Sequence, residues 1–377
     1  MTIRALVLSG GGGRGAFHAG VYKYLMQAAK SGVDAAHQGA WIPDVVIGTS
    51  IGAVNGAAIT QGISAEELER FWLGLREHHI QGLPPGMGWL ARRVANLVLK
   101  PSIGTTLPVI DPARAFSPKV SESWPPLPIF PRWLSKRLIG QWNNLLDTSP
   151  LYDTLMNTLK IDTEKIAASP ITLIISATSV RTGESVFFSN RQIYHPRTGD
   201  MYVRDAITPR RVIASCSIPL VYPWTKDEDG EIYWDGAVVT NTPFAPALDA
   251  VRERPLDEPM EAVVVMMTPW RETTESAPTG GRLPQDFGEA VTFTLDWALL
   301  ASFRAELKLL RSFNRLIEMD IANGDPPRYR KVKDVIVAPD KFLDVTRIID
   351  YDEAASRSLI DQGYGAAEAA FKGQFGE

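Results

Sequence analysis

A serine at position 50 stands where a sharp turn would expose its hydroxyl. The apolar stretch Val45–Ile47 leads into Gly48-Thr49-Ser50-Ile51-Gly52 and then into small residues from Ala53 onward. A serine with a glycine two residues away on each side, between a strand and a helix, is the pattern of a nucleophile elbow. The glycines leave room for a neighbouring helix and for a substrate carbonyl. The segment predicts a nucleophile for acyl transfer, but glycine near serine is common, so the rest of the chain must support it.

A serine hydroxyl is a poor nucleophile unless a base takes its proton, and the usual base is histidine. The chain has five histidines, namely His18, His37, His78, His79 and His195. None of them follows position 195, so the order serine, acid, histidine of α/β-hydrolases is missing. An ordinary Ser-His-Asp triad is therefore disfavoured.

A carboxylate held against the serine in a dry site can act as the base instead. The best candidate is Asp235, because two aromatic residues precede it and Gly236 after it permits a tight turn. The alternative interpretation is an Asp-Gly hairpin turn without a chemical role. The local sequence leaves both interpretations open.

A cluster of glycines, Ser9–Gly15, lies between the first predicted strand and the first predicted helix. Its backbone N–H groups, with a helix N-terminus behind them, suit a phosphate or a developing oxyanion. Gly10, Gly12 and Gly15 also satisfy a dinucleotide-binding pattern, which requires an acid about twenty residues further on at a strand end. Asp34 has that spacing but lies in a polar, loop-like context. Nucleotide binding, oxyanion binding and a structural turn all remain open from the loop alone.

Alternating strands and helices predict the architecture that positions these residues. Strands are predicted at 3–8, 45–47, 171–178, 186–188, 262–267 and 334–337, and helices at 16–29, from Ser50, from Ser64 to Leu75, at 287–319 and at 353–371. Such alternation is typical of a mainly parallel sheet with helices on both faces. We therefore predict a three-layer α/β/α fold.

Composition restricts the classes of function. A net charge of −4 gives no general attraction to nucleic acid, and the single Cys216 excludes an internal disulfide and a cysteine-based metal site. The apolar N-terminal run is too short for a signal peptide, and no apolar run is long enough to span a bilayer. A cytoplasmic or peripheral membrane location is expected, and secretion without a signal peptide is left open.

The segment 82–145 differs from the rest of the chain. It holds ten of the 27 prolines, four of the ten tryptophans, and eight Lys or Arg against two acids. Tryptophan and cations together suit a membrane interface. We interpret the segment as an insertion that forms a lid or a lipid-contact surface, with a folded cap around buried tryptophans as the alternative. Ten prolines and the lack of a recognition helix argue against nucleic-acid binding by it.

The C-terminal part, 287–377, is predicted to be a helical elaboration of the same single domain, 1–377. Apolar residues recur at helical spacing through 287–319. Core packing is the preferred interpretation of this helix, with a partner or membrane helix as the alternative.

Taken together, these residues resemble the patatin-like phospholipase family. The resemblance rests on three ordered motifs, Gly10–Gly15, Gly48–Ala53 and Asp235-Gly236-Ala237. Two accessory stretches, Ala214–Pro219 and Asn241-Thr242-Pro243, also resemble blocks of that family. The likeness covers about 1–80 and 146–270 well and is weak over the insertion and beyond position 270.

The resemblance implies a lipid acyl hydrolase with a Ser-Asp dyad, in which Ser50 is the nucleophile and Asp235 the base. It also implies an oxyanion hole formed by the backbone N–H groups of Gly11, Gly12 and Gly13. Phospholipid or lysophospholipid is the expected substrate. A neutral-lipid or thioester hydrolase with the same dyad is the first alternative, and a dinucleotide-binding protein is the second.

By the same resemblance, Arg14 and Gly15 support the loop, and Arg14 either braces it or meets a phosphate. Cys216 is expected to be a small packing residue. No cofactor and no metal are expected, since backbone dipoles would stabilise the oxyanion. The expected partners are an acyl lipid and a membrane surface contacted through 82–145, with no nucleic acid. The oligomeric state stays open.

Overall fold

The structure, a computed structural model, describes residues 2–28, 40–82, 146–194, 206–219, 221–270, 283–284, 287–340 and 351–374. The predicted insertion, 82–145, lies outside the described residues apart from Gly82, as does most of the loop 271–286. His37, Asp34 and His195 also fall outside them.

The described strands and helices alternate along most of the chain. The strands are β1 (Ile3–Leu8), β2 (Val45–Thr49), β3 (Thr172–Ser179), β4 (Ser185–Ser189), β5 (Thr225–Lys226), β6 (Ile232–Asp235), β7 (Met260–Val265) and β8 (Val332–Val337). The helices are α1 (Ala16–Ala28), α2 (Ile51–Thr60), α3 (Ala65–Gly74), α4 (Glu77–Ile80), α5 (Ser149–Asn157), α6 (Thr163–Ala168), α7 (Pro209–Ser215), α8 (Ala245–Ala250), α9 (Phe287–Ala322) and α10 (Glu353–Gln374).

The strands form one sheet in the order β5-β6-β3-β2-β1-β7-β8, with β4 also paired to β3. The five strands from β3 to β8 in this order are parallel, and β4, β5 and β6 add antiparallel pairs. β1 and β7 are neighbours in the centre of the sheet. The connection from β1 through α1 leads to β2 on one side of this pair, and the connection from β7 through α9 leads to β8 on the other side. Because such crossovers are right-handed, α1 and α9 lie on opposite faces. The predicted three-layer, mainly parallel fold is confirmed.

The strands that flank the centre are buried on both faces, which is why they read as continuous apolar runs rather than alternating ones. Each predicted strand is present within a few residues of its predicted bounds. The predicted N-cap of α3 is also present, because Ser64 and Glu67 form a reciprocal capping box. Within the described ranges, no helix combines the length and the hydropathy needed to cross a bilayer.

The two ends of the insertion meet at one point. Gly82 N donates to the Asp147 carbonyl at 2.9 Å, and Asp147 N donates back to the Gly82 carbonyl at 2.7 Å. Next to this bridge, Leu146 N donates to the Val221 carbonyl at 2.8 Å. The chain therefore leaves the core at Gly82 and returns beside the position it left.

Candidate active site

Ser50 occupies a strained turn between β2 and α2. Its φ of 54° and ψ of −125° are unusual for a residue with a side chain. A Cβ at Gly48 would overlap the Gly52 carbonyl, and a Cβ at Gly52 would overlap the Leu8 carbonyl. Both glycines are therefore required for the close approach of β2, α2 and β1. The segment has the backbone geometry of a nucleophile elbow.

Strand register brings Asp235 to the same place. β2 runs along one edge of β3 as far as Ser176, which is opposite Thr49. β4 pairs with the opposite edge of β3 and extends beyond Ser176. β6 pairs with β3 from Ala177, which is opposite Asp235, so β6 lies on the same edge of β3 as β2 and directly beyond its end. β2 is parallel and β6 antiparallel to β3, so their carboxyl ends meet. The hairpin interpretation of Asp235 is wrong, since the hairpin turn between β5 and β6 lies before β6 and Asp235 enters a 3₁₀ turn, Gly236–Val238.

The Asp235 carboxylate is almost fully buried, with 2% of the residue exposed. Burial raises its pKa to about 7, although the side-chain hydrogen bond from Ser50 and the backbone N–H of Ala237 act in the opposite direction. The Ala237 N–H donates to Oδ1 at 2.8 Å. A carboxylate with this pKa is partly ionised at neutral pH and can accept a proton from a hydroxyl.

The C-terminal end of α7 and the residues that follow it contact both residues. The Ser50 N–H donates to Ser215 Oγ at 2.8 Å, and Ser215 Oγ donates to the Ser176 carbonyl at 2.6 Å. Two residues later, the Ser217 carbonyl accepts the Asp235 N–H at 2.9 Å. The sequence showed this stretch only as an accessory block, and the role of the Ser215 hydroxyl was missed.

Cys216 lies between these two contacts and is itself buried. Burial raises the pKa of its thiol well above the usual range, the Asp235 charge adds to this, and the polar Ser50 hydroxyl nearby opposes it. A thiol kept protonated in this way is a weak nucleophile. The arrangement agrees with the predicted packing role.

The glycine cluster ends in a 3₁₀ turn, Gly12–Gly15, directly before α1. The Gly10 N–H donates to Asn241 Oδ1 at 2.9 Å. Within the turn, the Arg14 N–H donates to the Gly11 carbonyl at 3.2 Å. The leading N–H groups of a helix have no partner within it. A Cβ on Gly10 would lie 3.0 Å from Ser50 Cβ, so the turn starts beside the serine.

Two contacts hold the far side of this turn. The buried Arg14 guanidinium donates from Nη1 to the Met267 carbonyl at 3.4 Å. A Cβ on Gly15 would lie 2.6 Å from Ile51 Cγ1 and 2.7 Å from the Trp72 ring. Gly15 therefore lets the turn sit directly on the first residue of α2.

His18 belongs to a buried network behind the turn. Asn55 Oδ1 accepts the Trp72 Nε1–H at 3.0 Å, so the Asn55 amide group donates to the Gly15 carbonyl at 3.0 Å and to His18 Nδ1 at 3.1 Å. Burial lowers the pKa of His18 to about 3, so the ring is neutral at physiological pH. Its contacts are structural. Elsewhere in the described ranges, no three His, Cys, Asp or Glu side chains group as metal ligands would.

The comparison with known protein families agrees with the motifs. A family model described as patatin-like phospholipase matches residues 6–248, a range that contains the glycine turn, Ser50 and Asp235. Among solved structures, the crystal structure of VipD from Legionella pneumophila is similar with a TM-score of 0.38 and 12% sequence identity, over 99% of this chain and 67% of that one. No curated protein sequence matches the chain significantly.

Proposed function

The chain belongs to the patatin-like phospholipase family, and we propose on this basis that it cleaves the carboxylic esters of phospholipids or lysophospholipids, with Ser50 as nucleophile and Asp235 as general base. The observation that carries the proposal is the meeting of β2 and β6 end to end. It brings a serine on a strained turn against a buried carboxylate whose pKa is raised to about 7.

In the first half of the reaction, Ser50 Oγ attacks the ester carbonyl and its proton passes to Asp235. The negative charge that develops on the carbonyl oxygen is stabilised by the backbone N–H groups of Gly11, Gly12 and Gly13. The tetrahedral intermediate collapses to an acyl-Ser50 ester. Asp235 returns its proton to the leaving alcohol, which is the lysolipid or the glycerophosphodiester.

In the second half, water takes the place of the leaving alcohol. Asp235, ionised again, accepts a proton from the water, whose oxygen attacks the acyl-Ser50 carbonyl. The same N–H groups stabilise the second oxyanion, and collapse releases the fatty acid with the proton returned to Ser50. No metal or cofactor is needed for these steps.

Arg14 and Gly15 have supporting roles in this proposal. The Arg14 guanidinium is buried and donates to the Met267 carbonyl, which favours bracing of the loop over contact with a substrate phosphate. Gly15 keeps the turn close to Ile51 and so keeps the oxyanion donors beside Ser50.

The alternatives have weaker support. The dinucleotide interpretation needs an acid at the end of the second strand, and β2 ends instead in Thr49 followed by Ser50. A neutral-lipid or thioester hydrolase would use the same dyad, and a substrate panel separates it from a phospholipase.

A lid role for 82–145 is part of the proposal. Both ends of the insertion lie beside the segment that contacts the dyad, because Leu146 bonds to Val221 and Gln81 Oε1 accepts the Tyr222 hydroxyl at 2.6 Å. Deletion of 84–140 is expected to reduce hydrolysis of vesicles more than hydrolysis of a soluble ester. Full activity of the deletion variant on vesicles would contradict a lipid-contact role.

The test of the proposed function is labelling with a fluorophosphonate, followed by mapping of the modified residue. We expect one modified residue, Ser50, and loss of labelling in Ser50→Ala. Asp235→Asn should also lose hydrolysis of a short p-nitrophenyl ester while it keeps its fold by circular dichroism. Ser358→Ala, at an exposed serine of α10, should react as the wild type does. Full activity of either dyad variant would exclude the Ser-Asp mechanism.

A further inference from the structure

The long helix α9 has two different faces over residues 300–319. One face is buried against the core and consists of Leu300, Phe303, Leu307, Leu310 and Ile317. The opposite face is exposed to solvent. Core packing, the preferred interpretation of this helix from sequence, therefore accounts for one face only.

Cations line one border of the exposed face. Arg304, Lys308 and Arg315 are exposed and, at spacings of four and seven residues, lie in one row. Within the described residues, no carboxylate pairs with any of the three. Arg311 is next to them and pairs with Asp334 at 2.9 Å. Since the whole chain has a net charge of −4, this row is a local concentration of positive charge.

Apolar side chains continue the exposed face beyond the cations. Leu309, Leu316 and Met319 have exposures of 57%, 38% and 54%. Such side chains gain little from water and would gain by entering an apolar phase. We call these three residues, with Arg304, Lys308 and Arg315, the α9 stripe.

Tryptophans border the cationic end of the α9 stripe. Arg304 lies over the Trp297 ring at 5.1 Å, and the half-buried Trp270 packs edge-to-face on Phe303 with ring centroids 5.2 Å apart. Trp270, Arg304, Lys308 and Arg315 also line an open cleft of about 470 Å³. Tryptophan beside cations is the composition of proteins that sit at the headgroup level of a bilayer.

The α9 stripe is on an element that borders the active-site edge of the sheet. On the buried side of α9, Glu306 Oε2 accepts the Phe244 N–H at 2.6 Å, three residues after Asn241, which binds Gly10. Trp270 follows Met267, whose carbonyl accepts the Arg14 guanidinium, by three residues. Both connections lead from the buried side of α9 to the glycine cluster, so α9 packs on segments that hold the site.

We propose that the α9 stripe docks on an anionic lipid surface and so presents the active site to its lipid substrate. The proposal rests on the proposed function, since only an enzyme that acts on lipid has reason to dock there. Cations attract anionic headgroups, and the exposed leucines and methionine enter the interface beside them. A nucleic acid or an acidic protein would use the cations but would leave the apolar half of the stripe in water.

The test compares a triple variant, Arg304→Glu, Lys308→Glu and Arg315→Glu, with a matched control, Arg70→Glu, Lys160→Glu and Lys226→Glu. The control changes the net charge by the same amount at exposed cations outside the α9 stripe. Binding is measured by co-sedimentation with phosphatidylcholine vesicles, with and without phosphatidylglycerol. Activity is measured on the same vesicles and on a soluble p-nitrophenyl ester.

We expect the wild type and the control to bind the anionic vesicles and to bind them less well as salt is added. The stripe variant should bind at least about 100-fold more weakly, since each cation near an anionic surface contributes about 1 kcal/mol. It should lose activity on vesicles and keep its kcat/KM on the soluble ester. Wild-type binding by the stripe variant, equal loss in the control, or equal wild-type binding to both vesicle types would overturn the proposal. If the wild type did not hydrolyse the soluble ester, that result would instead contradict the proposed function.

Discussion

The Ser50 N–H donates to Ser215 Oγ at 2.8 Å, and this hydroxyl donates in turn to the Ser176 carbonyl of β3 at 2.6 Å. One buried side chain thus fixes the backbone of the proposed nucleophile to the strand that also pairs with Asp235. Ser50 has a strained φ of 54°, and such a conformation persists only where its surroundings hold it. We therefore expect Ser215 to act as a positioning residue for the elbow.

Ser215→Ala should lower kcat on a soluble ester by about 10- to 100-fold, because the Ser50 N–H and the Ser176 carbonyl both lose a buried partner worth about 1–3 kcal/mol. KM should change little, since Ser215 does not contact the substrate in the proposed mechanism. Steady-state kinetics on a p-nitrophenyl ester measure both quantities.

Ser217→Ala is the matched control for this variant. Ser217 Oγ is equally buried and bonds to the Ile213 carbonyl at 3.1 Å and to Thr225 Oγ1 at 2.7 Å. Only its backbone carbonyl contacts the dyad, and alanine retains that carbonyl. The two variants should lose similar thermal stability, but only Ser215→Ala should lose kcat. Equal kcat losses would show that Ser215 acts through general stability.

The elements of this fold could be predicted from sequence because their signals are local. The strand before Ser50, the glycines around it and the capping box at Ser64 each lie within a few residues of the feature they specify. The proposed role of Asp235 needed the order of three distant motifs, since its own turn sequence, taken alone, favoured a hairpin.

The support of the site could not be predicted in the same way. Ser215 and Ser50 are 165 residues apart, and Asn241 and Gly10 are 231 apart. No local pattern distinguishes a serine or an asparagine that meets a distant N–H from one that meets solvent. β2 and β6 pair with successive parts of one edge of β3. Their positions along β3 depend on the register of the packed sheet, which a local sequence pattern does not specify.

The activity should rise with pH through a midpoint near 7. The proposed base is Asp235, whose pKa burial raises to about 7, and only its ionised form accepts the Ser50 proton. A profile of kcat/KM against pH on a soluble ester measures this midpoint for the free enzyme. His18, whose pKa is lowered to about 3, would instead give a limb far below neutral pH. A profile that is flat from pH 5 to pH 9 would contradict the assignment of Asp235 as the base.

Asp235→Asn should stabilise the fold at pH 8 while it abolishes activity. The pKa of Asp235 rises from its ordinary value of 3.8, which applies to the unfolded chain, to about 7 in the fold, so the wild type loses stability as pH rises between these values. Asparagine keeps an oxygen to accept the Ala237 N–H but carries no charge to bury. Below about pH 4 the advantage should vanish, because the carboxyl is then protonated in both states. Unfolding by urea at both pH values measures the difference, and a variant less stable than the wild type at pH 8 would contradict a buried, costly carboxylate.

Gly10→Ala should lower kcat/KM by about 100-fold or more, the range seen on loss of an oxyanion donor. The added Cβ would lie 2.7 Å from Asn241 Oδ1, the atom that binds the Gly10 N–H, and 3.0 Å from Ser50 Cβ. The turn that follows must therefore shift relative to the nucleophile. Gly74→Ala is the control, because in the described part of the chain nothing lies within 4 Å of its added Cβ. Kinetics on a soluble ester should leave the control unchanged, and an active Gly10→Ala enzyme would argue against this turn as the oxyanion hole.

The packing of α10 on α1 gives a prediction about the part of the chain beyond the family match. A Cβ on Gly363 would overlap the Phe17 carbonyl of α1, and a Cβ on Gly20 would overlap the Ile360 carbonyl of α10. Alanine normally stabilises a helix interior relative to glycine by about 1 kcal/mol. Gly363→Ala should nevertheless destabilise the protein by about 1–3 kcal/mol, because the two backbones must separate.

Gly365→Ala, two residues further along α10, has no described atom within 4 Å of its added Cβ and should be neutral or stabilising. Thermal unfolding should therefore show opposite signs for two identical substitutions in one helix. Since α1 begins at the glycine turn, Gly363→Ala should also lower kcat, whereas Gly365→Ala should not. Equal melting temperatures of the two variants would contradict the close packing of α10 on α1 at Gly363. The C-terminal helix would then not be needed to hold the glycine turn beside Ser50.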